Sequence, residues 1–134
     1  MSDKNKKSWK YKSNIPKPTE AELAILEVLW RLGPSTVRDV LNEFRKDREV
    51  GYTTVLKMLQ IMTQKELVDR DESSRSHTYR ARYEMEQTQD IMVKDLIARA
   101  FSGSVQQLIK RALSVKRISK KEKEELKGIL DEMS

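Results

Sequence analysis

The chain has 134 residues, of which 37% are hydrophobic and 36% are charged, and its formal net charge is +6. It contains no cysteine and one histidine, which excludes disulfides, thiolate metal sites and a cysteine nucleophile and makes a histidine-based metal or catalytic cluster a poor fit. No apolar run approaches the roughly 20 residues that span a bilayer, and no apolar core follows the lysine-rich start. We therefore expect a cytoplasmic protein of one domain, or of one small domain plus an oligomerisation segment, without a cofactor.

The positive charge is concentrated at the start of the chain. Residues 1–18 carry six lysines and one aspartate, whereas residues 19–83 carry 11 basic and 11 acidic residues. Residues 84–134 add one net positive charge. We predict a basic, flexible N-terminal arm over residues 1–18, which either contacts phosphate or only keeps the chain soluble.

Two short helices are predicted after the arm. Thr19 and Glu22 have the spacing of a capping box ahead of an apolar helical face, and Gly33-Pro34 ends that helix. A second helix is expected to begin at Ser35 or Thr36, because apolar residues follow at helical spacing.

A third helix and a hairpin come next. The helix is predicted to begin within 51–54 and to end at Glu66-Leu67. Residues 67–70 and 77–83 have the composition of strands, and the polar segment 71–76 between them is typical of a turn. Three short helices followed by a two-stranded hairpin form the layout of a winged helix-turn-helix, and we assign it to residues 19–83.

The rest of the chain, residues 84–134, returns to helical periodicity. A helix over 84–101 is interrupted by Ser102-Gly103, Ser104 starts another, and Ser119 with Glu122 has the pattern of a further capping box. The apolar residues of these helices exceed what one small domain needs to cover, so we predict a helical dimerisation region. Its candidate contact residues are Leu96, Ile97, Phe101, Val105, Leu108, Ile109, Leu113, Leu126 and Leu130.

The third helix carries the residues best suited to contact DNA. Helix N-termini and hydroxyl groups bind phosphate, Lys57 can contact phosphate or guanine, Gln60 can pair with adenine, and Leu56 can contact a thymine methyl group. Arginines of the hairpin suit the backbone or the minor groove, whereas His77 is expected to be a structural or surface residue. The predicted DNA-binding residues are Thr36, Thr53, Thr54, Leu56, Lys57, Gln60, Arg75 and Arg80.

Four stretches resemble the bacterial penicillinase-repressor family, which includes the methicillin-resistance repressors. They are EAELAILEVLWRLGPSTVRDV (20–40), GYTTVLKMLQIMTQKELVDRDESSRSHTYRARY (51–83), FSGSVQQLIKRAL (101–113) and ISKKEKEELKGIL (118–130). Trp30, Thr54-Val55 and the FSGS sequence at 101–104 occur in an order and spacing that are fairly specific as a set. A sister branch of the family, the copper-responsive repressors, binds metal through C-terminal cysteines, and the absence of cysteine from this chain excludes that branch.

The resemblance implies a winged-helix domain, a helical dimerisation region and an inverted-repeat operator in double-stranded DNA. It also implies release of DNA when a membrane-bound sensor zinc protease triggers cleavage before the phenylalanine of the F-x-G-S stretch. In this chain that bond is Ala100–Phe101, with alanine where the best-known members have asparagine. We expect Phe101 to be a buried anchor at this corner. The start of the third helix also departs from many relatives, with Gly51-Tyr52 in place of tryptophan and a small residue.

The sequence therefore predicts a mainly α protein with a small β-hairpin that acts as a homodimeric transcriptional repressor and is not an enzyme. Two alternatives stay open at this point. One is a winged-helix regulator released by a small ligand, and the other is a winged helix that serves as a protein-interaction module. The zero net charge of residues 19–83 favours the second alternative, because DNA-binding domains usually gather positive charge.

Overall fold

The structure, a computed structural model, describes residues 15–134 of the chain. Six helices and three short strands follow one another along this part. The helices are α1 (Glu20–Leu32), α2 (Val37–Phe44), α3 (Tyr52–Gln64), α4 (Met85–Ala100), α5 (Val105–Val115) and α6 (Lys120–Met133), and the strands are β1 (Ser35–Thr36), β2 (Val68–Asp71) and β3 (Thr78–Ala81). The prediction of a mainly α chain with a small β element is confirmed.

The sheet has one more strand than the sequence predicted. Its order is β1-β3-β2 with both pairings antiparallel, and Ser35 and Thr36 lie opposite Tyr79 and Thr78. The prediction of a two-stranded hairpin was therefore incomplete. A strand of two residues leaves no alternating pattern in the sequence, so only the pairing in space identifies it.

Local capping interactions fix the starts of α1 and α2. The Thr19 hydroxyl accepts a hydrogen bond from the Glu22 N–H at 3.2 Å, and the Thr19 N–H donates to Glu22 Oε1 at 2.8 Å. Thr36 and Asp39 form the same reciprocal pair, at 3.1 and 3.0 Å. Both helices therefore begin where the sequence placed their caps.

Two features at the C-terminal end of the chain differ in detail from the sequence predictions. At α6 the structure gives one half of the expected capping box, in which the Glu122 N–H donates to the Ser119 hydroxyl at 3.1 Å. Phe101 is half-buried, so the expectation of a buried anchor is wrong for the chain by itself. Phe101 follows the last residue of α4, and none of residues 94–134 is buried, so this part of the single chain has no core that could enclose the ring.

The described chain divides into two compact units between Val93 and Lys94. The first unit has a continuous apolar core in which α1, α2 and α3 pack together with the sheet, and its buried members are Ile25, Leu26, Val28, Leu29, Val37, Val40, Leu41, Phe44, Val55, Leu59, Met62, Leu67, Val68 and Tyr79. The Trp30 indole N–H donates to the Tyr83 carbonyl at 3.0 Å and so joins α1 to the chain that leaves β3. Most of the predicted N-terminal arm, residues 1–14, lies outside the described residues, but Ile15 and Pro18 are buried. The packed part of the chain thus starts before the predicted boundary at residue 18.

A buried carboxylate connects the beginning of α1 to the end of α3. The Glu22 side chain is 8% exposed, and its Oε2 accepts a hydrogen bond from Lys65 Nζ at 2.8 Å. Burial by itself raises the pKa of this carboxyl, but the Lys65 ammonium and the Thr19 backbone N–H bind the charged form, and the net effect lowers the pKa. The ionised carboxylate therefore stabilises the folded state.

Replacing Lys65 should destabilise the folded state, because it leaves the buried Glu22 carboxylate without its cation. We expect Lys65→Met to lower the free energy of unfolding at neutral pH by about 1–2 kcal/mol, less than for a fully buried pair because Lys65 is itself half-exposed. Because the Glu22 pKa is lowered on folding, the wild-type contribution is present above the ordinary carboxyl pKa and is lost as the pH falls through the depressed folded value. Urea unfolding at several pH values measures both effects.

Lys46→Met is the matched control, since Lys46 also pairs with a glutamate but Glu43 keeps its second partner, Arg31. This control should change the free energy of unfolding much less than Lys65→Met does, because exposed ion pairs contribute little to stability. Equal effects of the two substitutions, or a Lys65→Met effect that persists at low pH, would contradict the stabilising role of the Glu22–Lys65 pair.

Candidate nucleic-acid interface

The N-terminus of α3 presents backbone donors to solvent. Gly51 is its N-cap and supplies no side-chain cap, and the first backbone bond of the helix runs from the Val55 N–H to the Gly51 carbonyl at 3.2 Å. The amides of residues 52–54 precede that bond, and the side chains of Thr53 and Thr54 are exposed beside them. This end of the helix can therefore donate hydrogen bonds to an anion.

The outer face of α3 is polar and has no negative charge. Lys57 and Gln60 are exposed, and α3 contains no aspartate or glutamate. Leu56 is half-buried and packs against the core, so it offers less free surface than the sequence indicated. Ile61, which is 40% exposed, is the more accessible apolar side chain of this helix.

A groove of about 320 Å³ lies where α2, α3 and the hairpin loop meet, and we call it the basic groove. It is lined by Thr36, Val37, Arg38, Tyr52, Leu56, Arg75, Ser76, His77 and Tyr79. Among the described residues, two arginines and the histidine border the groove, and no carboxylate does. Within the described residues neither Arg38 nor Arg75 forms an ion pair. The arrangement suits a negatively charged partner.

The structure brings together only some of the predicted DNA-binding residues. Thr36, Leu56 and Arg75 share the basic groove, whereas Thr53, Thr54, Lys57 and Gln60 lie along α3 without lining it. Arg80 is elsewhere, because it lies opposite Asp69 in the sheet and its Nε is 3.8 Å from Asp69 Oδ2. It lines a separate pocket that also contains Asp69, Asp71 and Glu72.

The sequence analysis did not single out Arg38 and Tyr52, which both line the basic groove, and it gave no binding role to His77. The Arg38 guanidinium lies over the Tyr52 ring, 5.2 Å from its centroid, although 14 positions separate the two residues. His77 was expected to be only a structural or surface residue, and it lines the groove from the hairpin side. The available signal was the position of Arg38 in the first turn of the predicted second helix, where a side chain points toward solvent and the helix N-terminus.

The remaining arginines of the hairpin are largely paired with carboxylates of the same element. Arg70 pairs with Glu72, and Arg82 Nη1 is 3.7 Å from Glu66 Oε1. A hydrogen bond from the Ser73 N–H, together with the charge of Arg80, lowers the pKa of the Asp71 carboxyl, which therefore stays ionised. Arg75 is the exception among the hairpin arginines, which makes it the better candidate for contact with DNA.

The predicted cleavage bond lies at the end of α4. Ala100 is the last residue of the helix, and the Phe101 N–H still donates to the Ile97 carbonyl at 3.2 Å. Ser102 and Gly103 then adopt positive φ angles of 50° and 84°, and the Gly103 N–H also donates to the Ile97 carbonyl, at 2.9 Å. The bond is therefore held in the last turn of a helix, directly before a sharp change in chain direction.

The second unit, Lys94–Ser134, leaves its apolar residues uncovered. None of its residues is buried. Ile109 and Leu113 on α5, and Leu126 on α6, are 44%, 47% and 38% exposed. The other predicted dimer residues are exposed or half-buried as well: Leu96, Ile97, Phe101, Val105, Leu108 and Leu130.

The described residues also bear on metal binding and on membrane insertion. Residues 15–134 contain no cluster of three or more histidine, aspartate or glutamate side chains that could hold a metal ion. In the same part of the chain no helix combines the length and apolar character needed to cross a membrane.

The three-helix core, the small antiparallel sheet and the outward-facing third helix define the class of protein: a winged helix-turn-helix followed by further helices. The family model described as penicillinase repressor matches residues 18–132. The chain belongs to the penicillinase repressor family, as the sequence resemblance indicated.

Two relatives and one solved structure are similar to parts of this chain. The transcriptional regulator BlaI of Mycobacterium tuberculosis is 38% identical over 61 residues, which are 45% of this chain and 44% of the regulator, so the match covers less than half of that protein. The penicillinase repressor of Staphylococcus aureus is 21% identical over 114 residues, covering 85% of this chain and 90% of that one. The solution structure of the monomeric form of Bacillus licheniformis BlaI in complex with the blaP half-operator matches with a TM-score of 0.48 and 22% identity, covering 55% of this chain and 89% of that one.

Proposed function

We propose that the protein is a DNA-binding transcriptional repressor whose helix α3 contacts bases in the major groove while the hairpin contacts the backbone. The observation that carries the proposal is the carboxylate-free surface formed by α3 and the basic groove. Membership of the penicillinase repressor family supports it, as does the similarity to a transcriptional regulator and to a penicillinase repressor.

The distribution of ion pairs answers the objection that residues 19–83 have no net charge. Six of their basic residues form ion pairs with carboxylates, namely Arg31, Lys46, Lys65, Arg70, Arg80 and Arg82. Arg38, Lys57 and Arg75, which belong to α3 and the basic groove, form none within the described residues. The local charge at the proposed interface is thus positive although the domain as a whole is neutral.

Lys57 provides the direct test of the role of α3. We expect Lys57→Ala to weaken binding to a duplex selected from a random pool by about 1–3 kcal/mol if the lysine contacts a base, and to relax the preference at one position. Fluorescence anisotropy with the selected and a scrambled duplex measures both effects.

Lys46→Ala is the control, because it also removes one positive charge, but from a lysine that is paired with Glu43. It should leave the affinity for DNA nearly unchanged. Equal affinities of wild type and Lys57→Ala for both duplexes would contradict the assignment of α3. If no sequence is enriched from the pool at all, a protein-interaction module becomes the better explanation.

The proposal includes a homodimer formed through the second unit. Five of the six apolar residues of α5 occur at positions 105, 108, 109, 112 and 113, and those of α6 occur at 126, 129, 130 and 133, so each helix has an apolar stripe. A stripe that stays exposed in the single chain favours burial against another chain. Two-fold association would also match two winged helices to an inverted repeat, which the family resemblance implies.

Ile109→Asp tests the dimer without disturbing buried packing, because Ile109 is already 44% exposed in the single chain. We expect the dimer dissociation constant to rise at least about 100-fold, since an aspartate at the contact would be desolvated without a partner. Val115→Asp is the control, as Val115 is 83% exposed and should tolerate the charge. Sedimentation equilibrium decides the matter, and a wild type that is monomeric at micromolar concentration would refute the dimer.

We further propose that a membrane-bound sensor zinc protease switches the repressor off by causing cleavage at Ala100–Phe101. Cleavage there would separate the DNA-binding unit from most of the proposed dimer contacts. The positive φ angles of Ser102 and Gly103 support a local weak point, since the regular helix cannot continue past it. The last turn of α4 must open first, because a protease acts on extended chain.

Co-expression with the cognate sensor and its inducer should produce fragments of about 100 and 34 residues, as a cut at this bond in a chain of this length requires. Intact-mass spectrometry identifies them, and Phe101→Ala should reduce the cut if the aromatic side chain is recognised. Derepression that proceeds with the chain intact would reject the proteolytic switch and favour release by a small ligand.

A further inference from the structure

Arg38 pairs with the ring of Tyr52, and of the three arginine–aromatic contacts given for the described residues this is the one that lines the basic groove. Arg38 is the second residue of α2, two positions after the N-cap Thr36. Its guanidinium lies 5.2 Å from the centroid of the Tyr52 ring, at the start of α3. Both side chains line the basic groove, and Tyr52 is 42% exposed. The contact therefore connects the first turns of two helices across the entrance to this groove.

Stacking changes what the arginine can offer a ligand. The Tyr52 ring attracts the guanidinium without neutralising its charge, and the planar fork of N–H donors of an arginine matches two oxygens of a phosphate. Because the ring restricts a long, flexible side chain before any ligand arrives, less conformational entropy is lost on binding. Arg38 has no carboxylate partner among the described residues, so its charge is available.

The other side of the groove supplies compatible chemistry. Arg75 and His77 come from the hairpin, Thr36 from β1, and no acidic side chain lines the groove. Asp39, the carboxylate next to Arg38 in sequence, is occupied by the N-cap and accepts a hydrogen bond from the Thr36 N–H at 3.0 Å. The groove is thus bordered by donors and cations on both the helix side and the hairpin side.

We propose that the basic groove binds one backbone phosphate of duplex DNA, that Arg38 is the residue that contacts it, and that Tyr52 is a positioning residue that acts through Arg38. The inference rests on the proposed function and adds to it a phosphate contact separate from the base contacts of α3. It assigns Tyr52 a role in affinity for every sequence, and no role in choosing between sequences.

The first test is Arg38→Ala, measured by fluorescence anisotropy against the selected and the scrambled duplex over a range of salt concentrations. Affinity should fall by a similar factor for both duplexes, on the order of tenfold, which is the scale of one hydrogen bond to a charged group. The slope of log affinity against log salt should become shallower by about 0.9 for each half-site. A loss confined to the selected duplex would overturn the assignment to phosphate.

The chain contains a matched control for the stacking itself. Arg48 lies 4.8 Å from the centroid of the Phe44 ring, so it is also an arginine stacked on an aromatic side chain, but neither residue lines the basic groove. Arg48→Ala removes the same charge and the same type of contact. It should change affinity less than twofold and leave the salt slope intact, and equal effects of Arg38→Ala and Arg48→Ala would overturn the proposal.

The positioning role is tested by variants of Tyr52. Tyr52→Phe keeps the aromatic face and should retain wild-type affinity, whereas Tyr52→Ser should lose part of the affinity that Arg38→Ala loses. Combined with Arg38→Ala, Tyr52→Ser should have almost no further effect, because its contribution passes through the arginine. Additive losses in the double variant would overturn the positioning role, and unchanged melting temperatures show that the variants fold.

A free anion is distinguished from DNA by titrating inorganic phosphate alone and following the Arg38 Nε–H resonance by NMR. A response to inorganic phosphate, together with unchanged duplex affinity in Arg38→Ala, would assign the groove to a free anion and overturn the DNA contact. If wild type binds no duplex, the proposed function fails first. If wild type binds normally and Arg38→Ala does too, only the phosphate contact fails.

Discussion

The structure of the proposed interface depends on the two residues of β1. Thr36 lies opposite Thr78 in the sheet, and its hydroxyl also caps α2 by accepting the Asp39 N–H. The same residue therefore fixes the hairpin and the start of α2 relative to each other. Arg38 enters the basic groove from α2 and Arg75 from the hairpin loop, so their separation is set by this junction. Without the pairing of β1, the hairpin would be a two-stranded ribbon, which is marginally stable by itself.

Ion pairing within the first unit determines where its charge can act. The paired arginines of the hairpin face carboxylates of the same sheet or its flanks, and the buried Glu22 is neutralised by Lys65. Exposed pairs of this kind contribute little to stability. Their consequence for function is larger, because they leave a few unpaired cations beside α3 as the local source of positive potential.

The sequence predicted those parts of the fold that depend on neighbouring residues. The capping boxes of Thr19 and Thr36 involve residues three positions apart, and the strands and helices followed from periodicity over short windows. Contacts between residues that are far apart in the sequence could not be predicted in this way. The Glu22–Lys65 pair spans 43 positions, β1 has only two residues, and the Arg38–Tyr52 stack depends on how α2 and α3 cross. Leu56 shows the same limit, since its half-burial depends on neighbours that the helical pattern does not specify.

The candidate site was predicted less completely than the fold, for a physical reason. The proposed base-contacting residues Lys57 and Gln60 can be selected by side-chain chemistry on one exposed face, so they can be predicted from the sequence. A phosphate contact instead needs donors that converge from several elements, and the basic groove draws its lining from α2, α3, β1 and the hairpin. Dimerisation would then multiply both kinds of contact. Linking two weak half-site binders raises the effective concentration of the second by orders of magnitude, so in the proposed dimer modest contacts from each DNA-binding unit would suffice for tight binding. The proposed cut at Ala100–Phe101, inside the second unit, would remove most of that linkage.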